Sequence, residues 1–245
     1  MLELNLDFTC CEELDDVYLA EVSENIKALK KLKKLNLNFN RCIQITDDGF
    51  SSLTDSLSQL KELRSLKLQL RECYSISNGL SSLAKALSKN KSLTSLAVDI
   101  FSWTSEEGEF ITFLGVLPKL ALKDLQLDMA WCENFTDNLF FTLFKELKRK
   151  NALEKFSLNL SLCPHITDRA LIHIKDGISG LSSLQELSLI FNNCVKISDK
   201  GVLALKDAIY LLMNLRMIKL SFLNCPQLSK SITNRLTDGV KHDAR

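Results

Sequence analysis

Glycine, proline and histidine are scarce in this 245-residue chain, at 8, 3 and 3 copies. So little glycine and proline, beside 46% apolar residues, leaves room only for short, tight turns around a continuous core. The histidines are His165, His173 and His242. None has a cysteine or serine partner placed by a local motif, as acid–base or nucleophilic catalysis needs. Glycine-rich phosphate loops are missing as well. No catalytic residue, cofactor site or metal site is therefore assigned, and an enzyme is not expected. Charge of one sign is also lacking: the formal net charge is +1. That balance speaks against a general nucleic-acid or anionic-membrane binder, which would show a basic excess. No apolar run approaches the length of about 18 residues that spans a bilayer. Leu2, Leu4 and Leu6 enter a strand pattern at once, leaving no room for a secretion signal, so a cytoplasmic chain with reduced cysteines is expected.

What is present is a repeat. Cys11, Cys42, Cys73, Cys132, Cys163, Cys194 and Cys225 recur at gaps of 31, 31, 59, 31, 31 and 31. The gap of 59 holds two units, the second shortened to 29, with Trp103 at the equivalent place. A fixed period in this range marks a solenoid of stacked units. Units start near residues 1, 32, 63, 93, 122, 153, 184 and 215 and are taken as one domain over 1–245, closed by a capping helix over about 229–240.

Each unit changes periodicity once. Leu35, Leu37 and Phe39 alternate with polar residues, which predicts a strand with one buried face. Phe50, Leu53, Leu57 and Leu60 are spaced by three and four, which predicts a helix with one apolar stripe. Thr46, Ser77, Thr136, Thr167 and Ser198 stand where a hydroxyl caps that helix. Asp47, Asp137, Asp168 and Asp199 follow, at the positive end of its dipole. The repeated thiol is expected to point inward as a small hydrophobe. Cys10, one position earlier, is expected to face out.

With these residues on the page the chain resembles the leucine-rich repeat proteins. The stretch from Cys42 through Ile45, Thr46 and Asp47 to Gly49 is similar to the cysteine-containing subclass found in F-box substrate receptors, and the 31-residue unit to the ribonuclease-inhibitor-like subclass. The resemblance implies an α/β solenoid in a curved horseshoe arc, its parallel sheet concave and its helices convex. It implies a non-catalytic scaffold that binds a protein through the concave face and rim. It also implies two alternatives: the substrate-recognition module of a ubiquitin-ligase receptor, or a GTPase regulator using loop residues such as Arg41 and Arg71.

Side chains alternating with the buried leucines form the exposed sheet face. By unit they are Asn5 and Asp7, Asn36 and Asn38, Lys67 and Gln69, Ala97 and Asp99, Gln126 and Asp128, Ser157 and Asn159, Ser188 and Ile190, and Lys219 and Ser221. Asp99, Phe101, Gln126, Asp128, Trp131, Asn159 and Ile190 are the candidate protein-binding residues, with Trp131 at the rim as the anchor. Partners are expected to be proteins, not nucleic acid or membrane. The open first strand is expected to meet a missing segment, a partner or a second copy.

Overall fold

The computed structural model describes residues 2–147 and 152–232. Strands and helices alternate along the chain. The strands are β1 (Glu3–Asp7), β2 (Lys34–Asn38), β3 (Ser65–Gln69), β4 (Ser95–Asp99), β5 (Asp124–Asp128), β6 (Lys155–Asn159), β7 (Glu186–Ile190) and β8 (Met217–Ser221). The α-helices are α1 (Asp16–Ala28), α2 (Asp47–Leu57), α3 (Gly79–Ser88), α4 (Glu107–Val116), α5 (Asp137–Leu147), α6 (Asp168–Ile178) and α7 (Asp199–Tyr210). A 3-10 turn, Leu117–Lys119, follows α4. These are the eight strand–helix repeats of an α/β solenoid. Of the expected capping helix, residues 233–240 lie outside the described residues, and helix is assigned over 230–232.

The chain divides into two compact units, Met1–Asp124 and Leu125–Arg245. In the first, β1 to β4 pair in parallel in chain order, with Leu4, Leu35, Leu66 and Leu96 in one register row. In the second, β5 to β8 follow the same order, with Phe156, Leu187 and Ile218 in one row. Between β1 and β4 and between β6 and β8 the registers advance by 31 residues, except by 30 from Ser65 to Ser95. Helices stack on their chain neighbours in the same way, α1 on α2 and α6 on α7.

The core lies between sheet and helices, and it confirms the predicted pattern. Leu35, Leu37, Phe39, Phe50, Leu53, Leu57 and Leu60 are all buried. Leu60 extends the helical spacing although α2 ends at Leu57, because it opens the turn into β3 through its amide to the Leu57 carbonyl (3.1 Å). Aromatic rings also stack rung on rung: Phe8 on Phe39 at 5.4 Å and Phe191 on Phe222 at 5.5 Å.

The thiols form the expected inward columns, and they carry hydrogen bonds. Cys42 Sγ donates to the Phe8 carbonyl (3.0 Å) and Cys73 Sγ to the Phe39 carbonyl (3.0 Å). Cys163, Cys194 and Cys225 donate to the carbonyls of Met129, Leu160 and Phe191 at 3.4, 3.2 and 3.1 Å. In the fourth repeat Trp103 takes over: its indole Nε1 donates to the Leu70 carbonyl at 2.8 Å, the place a thiol would reach. Its buried ring meets Phe50 edge-on at 6.2 Å and fills the space a small residue would leave. Burial pushes the thiols up, Cys42 to about 11 and Cys73, Cys163 and Cys194 to about 12. All eight cysteines are free, and Cys10 is exposed.

Helix starts are locked between neighbours in a way the sequence did not announce. The Thr46, Thr167 and Ser198 hydroxyls accept from the amides of Asp48, Arg169 and Lys200, as a cap should. The aspartate of the preceding repeat then holds the cap itself. Asp137 accepts from the Thr167 amide (2.9 Å) and hydroxyl (2.6 Å), and Asp168 from those of Ser198 (2.8 and 2.6 Å). Asp16 does the same for Thr46. Gly49 and Gly201 make room for this carboxylate. A Cβ at Gly201 would sit 2.4 Å from Asp168 Oδ1 and 3.0 Å from its Cα.

Candidate functional site

The strand-to-helix turn is the most regular part of each repeat and positions every rim residue. One residue per turn adopts positive φ: Cys10, Arg41, Glu72 and Ser102 in the first unit, Trp131, Leu162, Asn193 and Asn224 in the second. Each sits immediately before the inward ladder position, so the backbone reverses and the side chain is thrown outward. Its amide extends the sheet by one more bond, as from Trp131 to the Ser161 carbonyl and from Leu162 to the Asn192 carbonyl, both 2.8 Å. The scarcity of glycine thus leaves this left-handed position to side chains that pay for it.

An Asx turn opens the same loop. The last outward residue of the strand accepts from the amide two residues on: Asp7 from Thr9 (2.9 Å), Asn38 from Asn40 (3.1 Å), Asp99 from Phe101 (3.3 Å), Asp128 from Ala130 (3.2 Å) and Asn159 from Ser161 (3.1 Å). At Asp7 the Thr9 hydroxyl adds a bond and holds the carboxyl below its usual range.

The candidate residues are placed as follows. In the first unit, Asp99 is half-buried and accepts from Arg71 Nε at 2.5 Å, while the same guanidinium lies 5.4 Å from the Phe101 ring centre. Asp99 and Phe101 therefore form one cluster with Arg71. In the second unit, Asp128 accepts from Asn159 Nδ2 at 3.1 Å, and Asn159 lies in register with Ile190. Those three share the outer face of adjacent strands, with exposed Gln126 on β5. Trp131 projects from the rim and is 49% exposed. Sequence reasoning missed its companions. Leu162, Val195 and Leu223, at 42%, 47% and 61% exposure, belong to the same set of turns. Leu162 was findable, since it occupies the Trp131 position one repeat later.

The two loop arginines are engaged in ion pairs, Arg71 with Asp99 and Arg41 with Glu72 through two bonds of 3.0 and 3.2 Å. His165 is exposed, and His173 packs edge-on against Phe141 at 6.0 Å. Among the described residues no group of three His, Cys, Asp or Glu could hold a metal ion. No helix among them is long and apolar enough to cross a membrane.

The first unit also sorts its charges by end. Parallel strands put all helix-to-strand turns together. Lys30, Lys31 and Lys33 lie in the first of these, and Lys61 and Arg64 in the second. Lys89 and Lys91 follow in the third, then Lys119 and Lys123 in the fourth. Glu62 is the one acid among these nine cations. At the opposite end the turns hold Glu12, Glu13, Asp15, Glu72 and Glu106 against Arg41 and Arg71.

No family model matches the sequence, and no curated protein matches it either. A solved structure described as "Leiomodin-1 Actin-Binding Site 2 (ABS2)" is similar over 89% of this chain and 94% of that chain, at 15% identity and a TM-score of 0.42. Likeness at that level bears on neither partner nor activity.

Proposed function

We propose that this chain is a non-catalytic protein-interaction scaffold that takes its partner on the strand-to-helix rim of Leu125–Arg245. The exposed apolar row of Trp131, Leu162, Val195 and Leu223 carries the proposal. Four successive repeats each present one large apolar side chain at the same edge. Trp131 and Leu162 do so from φ values of 58° and 65°, where Asn193 and Asn224 serve the next two repeats at lower steric cost. Bulky residues kept in a costly conformation, pointing into water, support a contact role. Tryptophan is the residue most enriched in binding hot spots. Asp128 and Asn159, bonded to each other beside the row, make a polar border.

The thiol columns and the 31-residue unit support a kinship with the cysteine-containing and ribonuclease-inhibitor-like leucine-rich repeats. Of the functions implied by that kinship, a GTPase regulator has the least support, because Arg41 and Arg71 are both ion-paired.

The test is affinity capture from the native cell with the parent chain beside Trp131→Ala, Leu162→Ala and Asp128→Lys. A partner held by the parent should lose about 2 kcal/mol or more with Trp131→Ala, measured by titration calorimetry. Identical partners and affinities across all variants would remove the rim.

A further inference from the structure

We infer that the helix-to-strand edge of Met1–Asp124 is a second docking surface, and that it takes an extended acidic protein segment. Its basis is separate from the apolar rim of the other unit. The chain's net charge of +1 hides a strong local excess, nine cations against one acid in four neighbouring turns. Six of these cations are not consumed in ion pairs. Among the described residues Lys30, Lys31, Lys33, Arg64, Lys89 and Lys91 enter no ion pair, whereas both arginines of the opposite end do. Helix dipoles offset only part of the excess, since each C-terminus carries about half a negative charge. Lys61 is partly spent, donating to the Ser58 carbonyl at 2.6 Å.

Three of the charges, Lys33, Arg64 and Lys123, are set on one line with Thr94 between the last two. The Arg64 amide bonds the Lys33 carbonyl (2.8 Å), Thr94 bonds Arg64 (2.9 Å) and Lys123 bonds Thr94 (2.8 Å). These positions are rungs of one ladder, about 4.8 Å apart. Carboxylates on one side of an extended peptide recur about every 6.8 Å, and flexible lysine stems take up the difference.

Composition selects the partner class. Eight of the nine cations are lysines, point charges without the guanidinium fork that reads phosphates in pairs. The turns hold no aromatic residue on which a base would stack. Their leucines are buried or half-buried, so no large apolar side chain is offered to the acyl layer of a membrane. A carboxylate-rich segment needs none of these.

The experiment is fluorescence anisotropy with the full chain and a labelled peptide of alternating aspartate and glutamate at low salt. Parallel probes are single-stranded RNA and vesicles containing phosphatidylserine. Saturable peptide binding is expected, weakening steeply as salt shortens the screening length. It should fall at least roughly tenfold in Lys30→Glu/Lys31→Glu/Lys89→Glu/Lys91→Glu, with circular dichroism unchanged. The neutral Lys→Gln series should give an intermediate loss, and Trp131→Ala none. No peptide binding at low salt, binding indifferent to charge reversal, or tighter binding of RNA or vesicles would each overturn the inference.

Discussion

Replacing Gly201 by alanine puts the packing between repeats to a quantitative test. Helix propensity alone favours the change, by about 1 kcal/mol. Against that, the new Cβ would lie 2.4 Å from Asp168 Oδ1 and 3.0 Å from its Cα. The carboxylate would have to rotate away from the Ser198 amide and hydroxyl, which it holds at 2.8 and 2.6 Å. Hydrogen bonds to a charged group contribute about 1.5–3 kcal/mol each. Losing two at the lower figure costs about 3 kcal/mol, so Gly201→Ala should destabilise by about 2 kcal/mol net of propensity. Asp168→Ala forfeits the same bonds directly and should cost about 3 kcal/mol. Because both changes act on one pair of bonds, the double variant should fall short of their sum by about 3 kcal/mol. Urea unfolding followed by circular dichroism measures all three. A Gly201→Ala protein more stable than the parent, or strictly additive changes, would refute the interlock.

Other expectations concern the core and the thiols. Leu158→Ala empties a buried strand position and should cost about 2–5 kcal/mol in the same unfolding assay. Alkaline pH should destabilise the fold. Up to about 9 the thiols stay neutral whether folded or not, and their contribution is intact. Above that the unfolded chain ionises first, and stability falls by about 1.4 kcal/mol per pH unit for each thiol. The fall continues toward the folded values of about 12 for Cys73, Cys163 and Cys194. Cys163→Ser/Cys194→Ser should flatten the slope between pH 9 and 11. In native protein a maleimide should modify exposed Cys10 first and leave Cys42, Cys73, Cys132, Cys163 and Cys194 untouched, which peptide mass mapping reads directly.

The repeat made the architecture legible, because one inward position per unit recurs at a fixed period, a thiol in seven units and Trp103 in the fourth. Cys42, Cys163 and Cys194 are buried, as their period required. The hydroxyl caps of Thr46, Thr167 and Ser198 were legible too, since they act within three residues; Ser77 is not one, because α3 starts a residue later, at Gly79, and Asn78 stands at its cap with no side-chain bond. What escaped notice acts over a whole repeat. Asp137 and Asp168 are explained by their own helix dipole in sequence, yet their partners are Thr167 and Ser198, 30 residues on. At the candidate site the outward register of Asp99, Asp128 and Asn159 was readable. Their work as turn closers was not, although an aspartate or asparagine two residues before a chain reversal is a local signal. Trp131 stood out by type; Leu162 and Val195 did not, because their exposure depends on where the turn points. Charge sorting in the first unit was invisible to a net count, since it needs the parallel topology to bring Lys33 and Arg64 onto one edge.

The thiol bonds and the cap bonds between repeats run one way. A thiol reaches the carbonyl 34 residues earlier, and a helix cap leans on the aspartate 30 residues earlier. As the chain leaves the ribosome, each emerging thiol and capping hydroxyl of this kind finds its acceptor already made. Trimming from the carboxyl side therefore leaves the remaining thiol and cap bonds whole, at the cost of the sheet bonds that run forward, such as Phe191 to the Ser221 carbonyl. Removing residues from the amino side instead orphans such donors, as loss of the sixth repeat would orphan the Cys194 thiol and the Ser198 cap.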